Sequence, residues 1–341
     1  MIKIITFHIS TNYGALLQSL SLKEFIENET KQNVRMCSYH PNKLLFAEFI
    51  RPLITKKFTK FERTIKKNFN IYLWKKKAFH TNNYNINLNL NVNVFGSDEI
   101  WNYSNPYHGY DPYFFGEGFE KKKIAYAASI GKSNHISIDL NLKKQIFSLL
   151  SDFDKISVRD ENTSNFITDL IGVKPEFVLD PTLIYTPKIL GDKKFISSKV
   201  EKNYCIVYGT VFSKNQQDLI YDFCKKRNLQ IISVGYYNKW IQKNHLELNP
   251  TNFIDYIKNA SFIFTSMFHG VMFSVKYSKQ FVFSPDPIRK NKISTFLNIF
   301  NLNNRIFEQD INESFIDYEI LKSKLNPYIL SSQKFLTNNL N

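Results

Sequence analysis

The sequence predicts an α/β protein built on parallel sheets and divided into two halves. Three observations predict it. Short apolar runs alternate with longer amphipathic stretches along the chain. The alternation restarts after a polar interval, Tyr185–Lys202, which contains Pro187 and Gly191 and reads as the linker between two α/β halves. The 341 residues, 43% hydrophobic and 16% aromatic, suffice for two packed cores and argue against disorder.

In the first half the apolar runs Ile2–Phe7, Val34–Tyr39, Val92–Phe95, Ile124–Ala128, Lys155–Val158 and Phe177–Leu179 read as strands. In the second, Tyr204–Tyr208, Gln230–Val234, Phe262–Thr265 and Gln280–Phe283 do so, with Arg305–Phe307 a weaker candidate. Helical periodicity falls on Ala15–Glu27, Leu142–Phe153, Thr163–Ile171, Asn215–Lys226 and Asn252–Ala260. The Asn-rich stretch Asn82–Val94 reads as a loop leading into a strand, and the tail Leu336–Asn341 as frayed. The expected organisation is an N-terminal Rossmann-like domain over 1–185, a C-terminal one over 203–310 and a helical tail over 311–341.

The formal net charge is +15. It admits three classes of partner: nucleic acid, an anionic membrane surface, or anionic small substrates. Part of the lysine excess belongs to a general bias toward Asn, Lys, Ile and Phe. From Arg51 to Lys77, however, ten Lys/Arg face a single acid, Glu62, with Phe58, Phe61, Phe69, Tyr72 and Trp74 interleaved. This segment, about 51–77, reads as a partly helical surface element. Anionic lipid, plain solvent and RNA are its three candidate neighbours, RNA the least favoured. Cys37, Cys205 and Cys224 are odd in number and lack CxxC spacing, which argues against a disulfide framework or zinc site and fits a reducing cytoplasm. The N-terminal MIKIITFHIS reads as a first strand rather than a signal peptide. No apolar run approaches the roughly 20 residues that span a bilayer. The expected location is cytoplasmic, with peripheral contact at the inner membrane face open to the basic segment.

Open α/β sheets bind ligands at the carboxyl ends of their strands, so the residues after each run matter most. After the first run, NYGALLQSLSL places Asn12, Tyr13 and Gly14 at a helix start, where open N–H groups suit an anion and a capped turn is the rival reading. Neither GxGxxG nor GxxxxGK[ST] occurs. GSDEIWN follows the third run. Ser97 and Asp98 sit in its turn, with Asp98 a base candidate or a helix cap, and adjacent carboxylates at 98 and 99 make a poor metal pair. The small residues of AYAASIG, ending in Ser129, allow close approach of packing neighbours or of a ligand. SVRDENT sets Arg159 directly after a strand, an anion-binding fork or one half of a structural ion pair with Asp180 of VLDPTL. TSMFHGVMFS places Ser266, His269 and Gly270 where a strand hands over to a helix, Val271–Tyr277. Arg289, Lys290 and Lys292 follow the next strand and form either an anion clamp or a solvated charge run.

These segments, in this order, resemble the polysaccharide pyruvyl transferase family. The matching stretches run from Asn12 to Ser274. The resemblance implies a GT-B-like pair of Rossmann-type domains facing a cleft. It implies transfer of a pyruvyl group from phosphoenolpyruvate to a sugar of a cell-surface glycan or its lipid-linked precursor, giving a pyruvate ketal. His269 matches the family's FHG histidine, the catalytic acid, and Arg159 the arginine expected to hold an anionic part of the donor. Gly270, Arg289, Lys290 and Lys292 are the further donor candidates. Asp98 is the candidate to orient an acceptor hydroxyl, and Asn12, Tyr13, Gly14, Ser97, Ser129 and Ser266 are the candidates to line the cleft. Two departures stand out: Ser266-Met267 where many relatives carry Asp-Ser, and Lys292 where relatives often carry Arg. No cofactor, metal or nucleic acid is expected. The rivals are a GT-B glycosyltransferase using a nucleotide sugar and a non-catalytic glycan-binding protein.

Overall fold

The computed structural model describes residues 1–39, 41–45, 58–79, 91–134, 136–192, 203–285 and 290–340. Two parallel sheets organise it. The first has six strands in the order β2-β1-β3-β4-β5-β6: β1 Ile2–Ile5, β2 Val34–Met36, β3 Val92–Asp98, β4 Lys122–Ala128, β5 Lys155–Val158 and β6 Glu176–Phe177. The second has five in the order β11-β10-β7-β8-β9: β7 Tyr204–Tyr208, β8 Gln230–Val234, β9 Lys243–His245, β10 Phe262–Thr265 and β11 Phe281–Phe283. The pairings registered in both sheets are parallel. The architecture is the GT-B-like pair of Rossmann-type domains.

The helices are α1 Tyr13–Thr30, α2 Asn42–Leu45, α3 Phe58–Ala78, α4 Leu140–Leu150, α5 Glu161–Ile171, α6 Pro181–Ile184, α7 Lys214–Lys226, α8 Pro250–Asn259, α9 Phe268–Lys276, α10 Lys290–Ile299 and α11 Tyr318–Leu340. Their starts follow local chemistry. Asn12 caps α1 and Asp160 caps α5, Ser213 and Gln216 form a capping box on α7, and Asn249 caps α8 with Pro250 at its first position.

Several elements differ from the sequence expectation. β1 ends at Ile5, and the run at 177–179 forms only Glu176–Phe177. β9 was not expected, because a polar edge strand of sequence Lys-Asn-His has no apolar alternation. Around 305–307 there is a single bridge from Ile306 to Phe283 instead of a strand. The tail is not frayed through residue 340: Leu336 and Leu340 are buried, and Ser332 of the same helix accepts a hydrogen bond from the Leu179 N–H at 2.9 Å. The helix of 318–340 therefore returns to the first half.

The halves are stitched together by α1 and α3. Residues Tyr13 through Lys23 of α1 are all buried, as expected of a helix enclosed on every side. The Tyr13 ring stacks on Phe253 with centroids 4.8 Å apart, and its hydroxyl donates to the carbonyls of Leu248 at 2.7 Å and Leu246 at 3.2 Å. Gly235, at φ +72°, makes room for that ring. From α3, Trp74 Nε1 donates to Thr251 Oγ1 at 2.9 Å and Asn70 Nδ2 to the Glu247 carbonyl at 2.6 Å.

Candidate active site between the two domains

In each sheet the strand order reverses at one point: between β1 and β3 in the first, between β7 and β10 in the second. Such switch points open crevices at the carboxyl ends of strands. The loop after β1 ends at Asn12 and leads into Gly14 of α1, the end of β3 carries Asp98, and the turn after β10 carries Ser266 and leads to His269. The two switch points meet, because Gly14 lies directly against the His269 ring. A Cβ at Gly14 would overlap the imidazole at Nδ1, so glycine is what lets the first turn of α1 approach the second domain's histidine.

His269 is only 6% exposed. Its Nε2 faces Asp180 Oδ2 at 3.6 Å, a charge contact too long for a hydrogen bond, and has no hydrogen-bond partner among the described residues. Gly270 follows because a Cβ there would overlap the Thr265 side chain. The Thr265 hydroxyl donates to the Tyr208 carbonyl at 2.8 Å and accepts from the Met267 N–H at 3.0 Å, which fixes the turn. No side chain caps α9.

Asp180 ties the histidine to the first domain. Its Oδ1 accepts from the Thr182 N–H at 3.0 Å and the Thr182 hydroxyl at 2.7 Å, while Oδ2 accepts from Arg159 Nη1 at 2.6 Å. Burial disfavours the carboxylate, but His269, Arg159 and the Thr182 hydroxyl outweigh it and hold its pKa well below the usual carboxylate range. Arg159, 3% exposed, also donates from Nη2 to Asp98 Oδ1 at 3.0 Å, and its guanidinium lies 4.6 Å from the Phe268 ring centroid. Burial opposes its charge, and Asp180 and Asp98 more than restore it. Asp98 sits at φ +84°, a left-handed conformation that ends β3. Beneath the trio, Lys276 donates to the carbonyls of Thr182 and Tyr185. Burial brings its pKa down to about 8, against the pull of Asp180.

The expected site residues therefore separate. Gly14, His269, Gly270, Arg159 and Asp98 converge, with Asp180 as the link. Arg159 takes the second of its two expected readings, the ion pair with Asp180, to which Asp98 is added. Both terminal nitrogens are held by carboxylates, and the Asp98–Arg159–Asp180 trio carries one net negative charge, so the fork is not open to a donor anion. At the start of α1 the capped-turn reading holds: Asn12 Oδ1 accepts from the Gly14 N–H at 2.8 Å and the Ala15 N–H at 3.4 Å. Tyr13 joins the domains and does not line the cleft. Ser97 belongs to a buried ring of bonds, donating to Gln18 Oε1 at 2.5 Å while its carbonyl accepts from Thr6 at 2.8 Å. Ser129 is buried and accepts from the Gly131 N–H at 2.9 Å. Ser266 is buried, its hydroxyl accepting from the Val211 N–H at 3.4 Å beside Gly209, where a Cβ would overlap it. Arg289 lies outside the described residues, as do the side chains of Lys290 and Lys292. The backbone of 290–299 forms α10, where Thr295 accepts from the Glu161 N–H at 2.9 Å, two residues after Arg159.

Sequence reasoning missed His108. Its ring lies tilted against Phe7 with centroids 5.3 Å apart, its Nδ1 contacts the Gly109 carbonyl at 2.9 Å, and its Nε2 is buried with no hydrogen-bond partner among the described residues. Burial lowers its pKa, with Gly109, Asp111, Glu99 and Asp98 opposing. A histidine in NPYHGYDP, just past GSDEIWN, was the available signal. Among the described residues no cluster of His, Cys, Asp and Glu is placed to hold a metal ion, and no helix is long and apolar enough to cross a membrane.

Two parallel-sheet domains meeting at their carboxyl edges, with a histidine–carboxylate contact on the seam, define a GT-B-like two-domain protein. The chain is similar over nearly its whole length to solved structures of that kind. One is the Escherichia coli ADP-heptose LPS heptosyltransferase II, 13% identical with a TM-score of 0.37, covering 97% of this chain and 99% of that one. Another is the Neisseria meningitidis UDP-GlcNAc 2-epimerase bound to UDP-GlcNAc, 10% identical with a TM-score of 0.45, covering 98% and 93%. A third is the Methanocaldococcus jannaschii UDP-GlcNAc 2-epimerase, 12% identical with a TM-score of 0.41, covering 97% and 99%. No curated protein matches the chain. The polysaccharide pyruvyl transferase family matches residues 12–284, and the chain belongs to that family.

Proposed function

We propose that this transferase moves a pyruvyl group from phosphoenolpyruvate to two hydroxyls of a sugar in a cell-surface glycan or its lipid-linked precursor, forming a ketal. In the balanced reaction, a proton adds to the donor's methylene carbon, converting it to methyl. One sugar hydroxyl adds to the neighbouring carbon and a second replaces the phosphate; of the two hydroxyl protons, one restores the proton the acid gave to carbon and the other leaves on inorganic phosphate.

The observation that carries the reading is the His269 imidazole held at the domain seam between Asp180 and Gly14. A proton must reach carbon near neutral pH, and imidazole is the side chain suited to deliver it. Asp180 faces Nε2 across 3.6 Å on the first-domain side of the ring. Arg159 acts through Asp180 as a positioning residue. Asp98, the most open member of the trio, orients an acceptor hydroxyl. The N-terminal end of α9 and the cations Arg289, Lys290 and Lys292 are the groups assigned to the donor's phosphate and carboxylate. β11 ends at the same sheet edge as His269, which supports that assignment.

The test is incubation with phosphoenolpyruvate and candidate glycan precursors, followed by mass spectrometry and phosphate assay. Phosphate release coupled to a pyruvate-ketal mass gain supports the reading. Consumption of a nucleotide sugar without phosphoenolpyruvate would replace it with a glycosyltransferase.

A further inference from the structure

We propose that Lys276 is a positioning residue of the seam: it clamps the far end of α6 and so holds Asp180 against His269. α6, Pro181–Ile184, is a single helical turn, too short to hold its own shape. Its start is fixed from the first domain, where Asp180 caps it and bonds Arg159. Its other end presents carbonyls that no further turn can satisfy. Lys276 Nζ donates to two of them, those of Thr182 and Tyr185, the latter at 2.7 Å. Gln333 of α11 donates to a third, that of Ile184, at 3.0 Å.

Lys276 and His269 stand seven residues, about two turns, apart on α9 and share one face of it. The imidazole meets the start of α6 at Asp180, and the ammonium meets its end. α9 thus touches both ends of α6 across the seam. A cation is favoured at the carbonyl end of a helix, and hydrogen bonds from an ammonium are about twice as strong as neutral ones. The charge is also costly to place there: burial pulls the lysine pKa down to about 8, with Asp180 supporting the charge and Lys258 of α8 opposing it. An apolar side chain would pack without that cost, so what the ammonium contributes is the fixed place it gives α6. The inference rests on His269 as the proton donor of the proposed transfer.

The test pairs kinetics with a spectrum that does not depend on turnover. Lys276→Met keeps the alkyl packing, removes the donor and relieves the cost of burying the charge, so it should fold. We expect kcat to fall about tenfold with KM for phosphoenolpyruvate unchanged. Lys276→Arg, which keeps a charged donor, should recover most of the rate. Because the clamp acts through Asp180, Lys276→Met added to Asp180→Asn should cost little more than Asp180→Asn alone. In nuclear magnetic resonance spectra the His269 ring signals, assigned by their loss in His269→Ala, should move in Lys276→Met. Moved signals in a parent that transfers no pyruvyl group would support the clamp and remove only the reaction assigned to it. Unmoved signals, a methionine variant as fast as an active parent, a loss in KM instead of kcat, or independent losses in the double variant would each overturn the proposal.

Discussion

His269 is held from two sides by atoms of the other domain: the Asp180 carboxylate at 3.6 Å and the backbone of Gly14. Each contact makes its own forecast. Replacing Gly14 by alanine puts a methyl group into the imidazole, so Gly14→Ala should lower turnover by about tenfold or more while the circular dichroism spectrum stays unchanged. Unchanged turnover would mean that the ring's position does not matter. Asp180→Asn removes one of the two carboxylates that neutralise buried Arg159. Breaking a buried pair in this way costs about 3–5 kcal/mol, readable as a lowered denaturant midpoint. Its pH dependence has a definite sign. The Asp180 pKa is depressed in the folded state. Its stabilisation is therefore complete above the ordinary carboxylate value near ~4 and is lost as pH falls through the folded-state value. The gap between parent and Asp180→Asn should be widest at neutral pH and narrow on acidification; a gap that widens in acid would contradict the assignment. That Arg159 follows β5 and that His269 sits past the turn after β10 was legible in the sequence, since both lie at strand-to-helix handovers. The Arg159 partner at Asp180 was legible too; the contact of Asp180 with His269 was not, because that link spans the domain seam.

At the scale of elements, α1 illustrates how a motif can be visible while its purpose is hidden. NYGALLQSL marks a helix start and Asn12 caps it, yet Tyr13 turns away to bond carbonyls more than 230 residues distant. Nothing local encodes that partner. Tyr13→Phe keeps the ring on Phe253 and removes the hydroxyl, leaving the Leu246 and Leu248 carbonyls without their donor. We expect a stability loss of about 1–2 kcal/mol in chemical denaturation, and a larger loss for Tyr13→Ala. A phenylalanine variant as stable as the parent would show that the hydroxyl does not hold the seam. Strands buried in parallel sheets were the easiest elements to read: β7 and β10 are continuous apolar runs and fall where expected. β9 escaped because an edge strand pairs on one side only and tolerates a polar sequence.

At the scale of the molecule, two switch points lie face to face because α1 is enclosed between the halves and α11 returns from the second to the first. Two α/β units were legible because the alternation of strand and helix restarts after a polar linker; the return of the last helix was not, since burial of Leu336 and Leu340 depends on a groove made by distant chain. The same arrangement splits the positive charge. One part belongs to the basic stretch 51–77, whose helix α3 exposes Ile65, Phe69, Tyr72 and Leu73. Another lies in the 289–292 segment, next in sequence to the strand beside His269.

The most direct test of the central claim, protonation of the donor by His269, is to run the transfer in deuterium oxide and follow the product by mass. The account predicts one solvent deuterium in the ketal methyl group and a rate that falls about 10²–10⁴-fold in a folded His269→Ala variant. A His269→Ala enzyme that forms the deuterated ketal at close to the parent rate would contradict it.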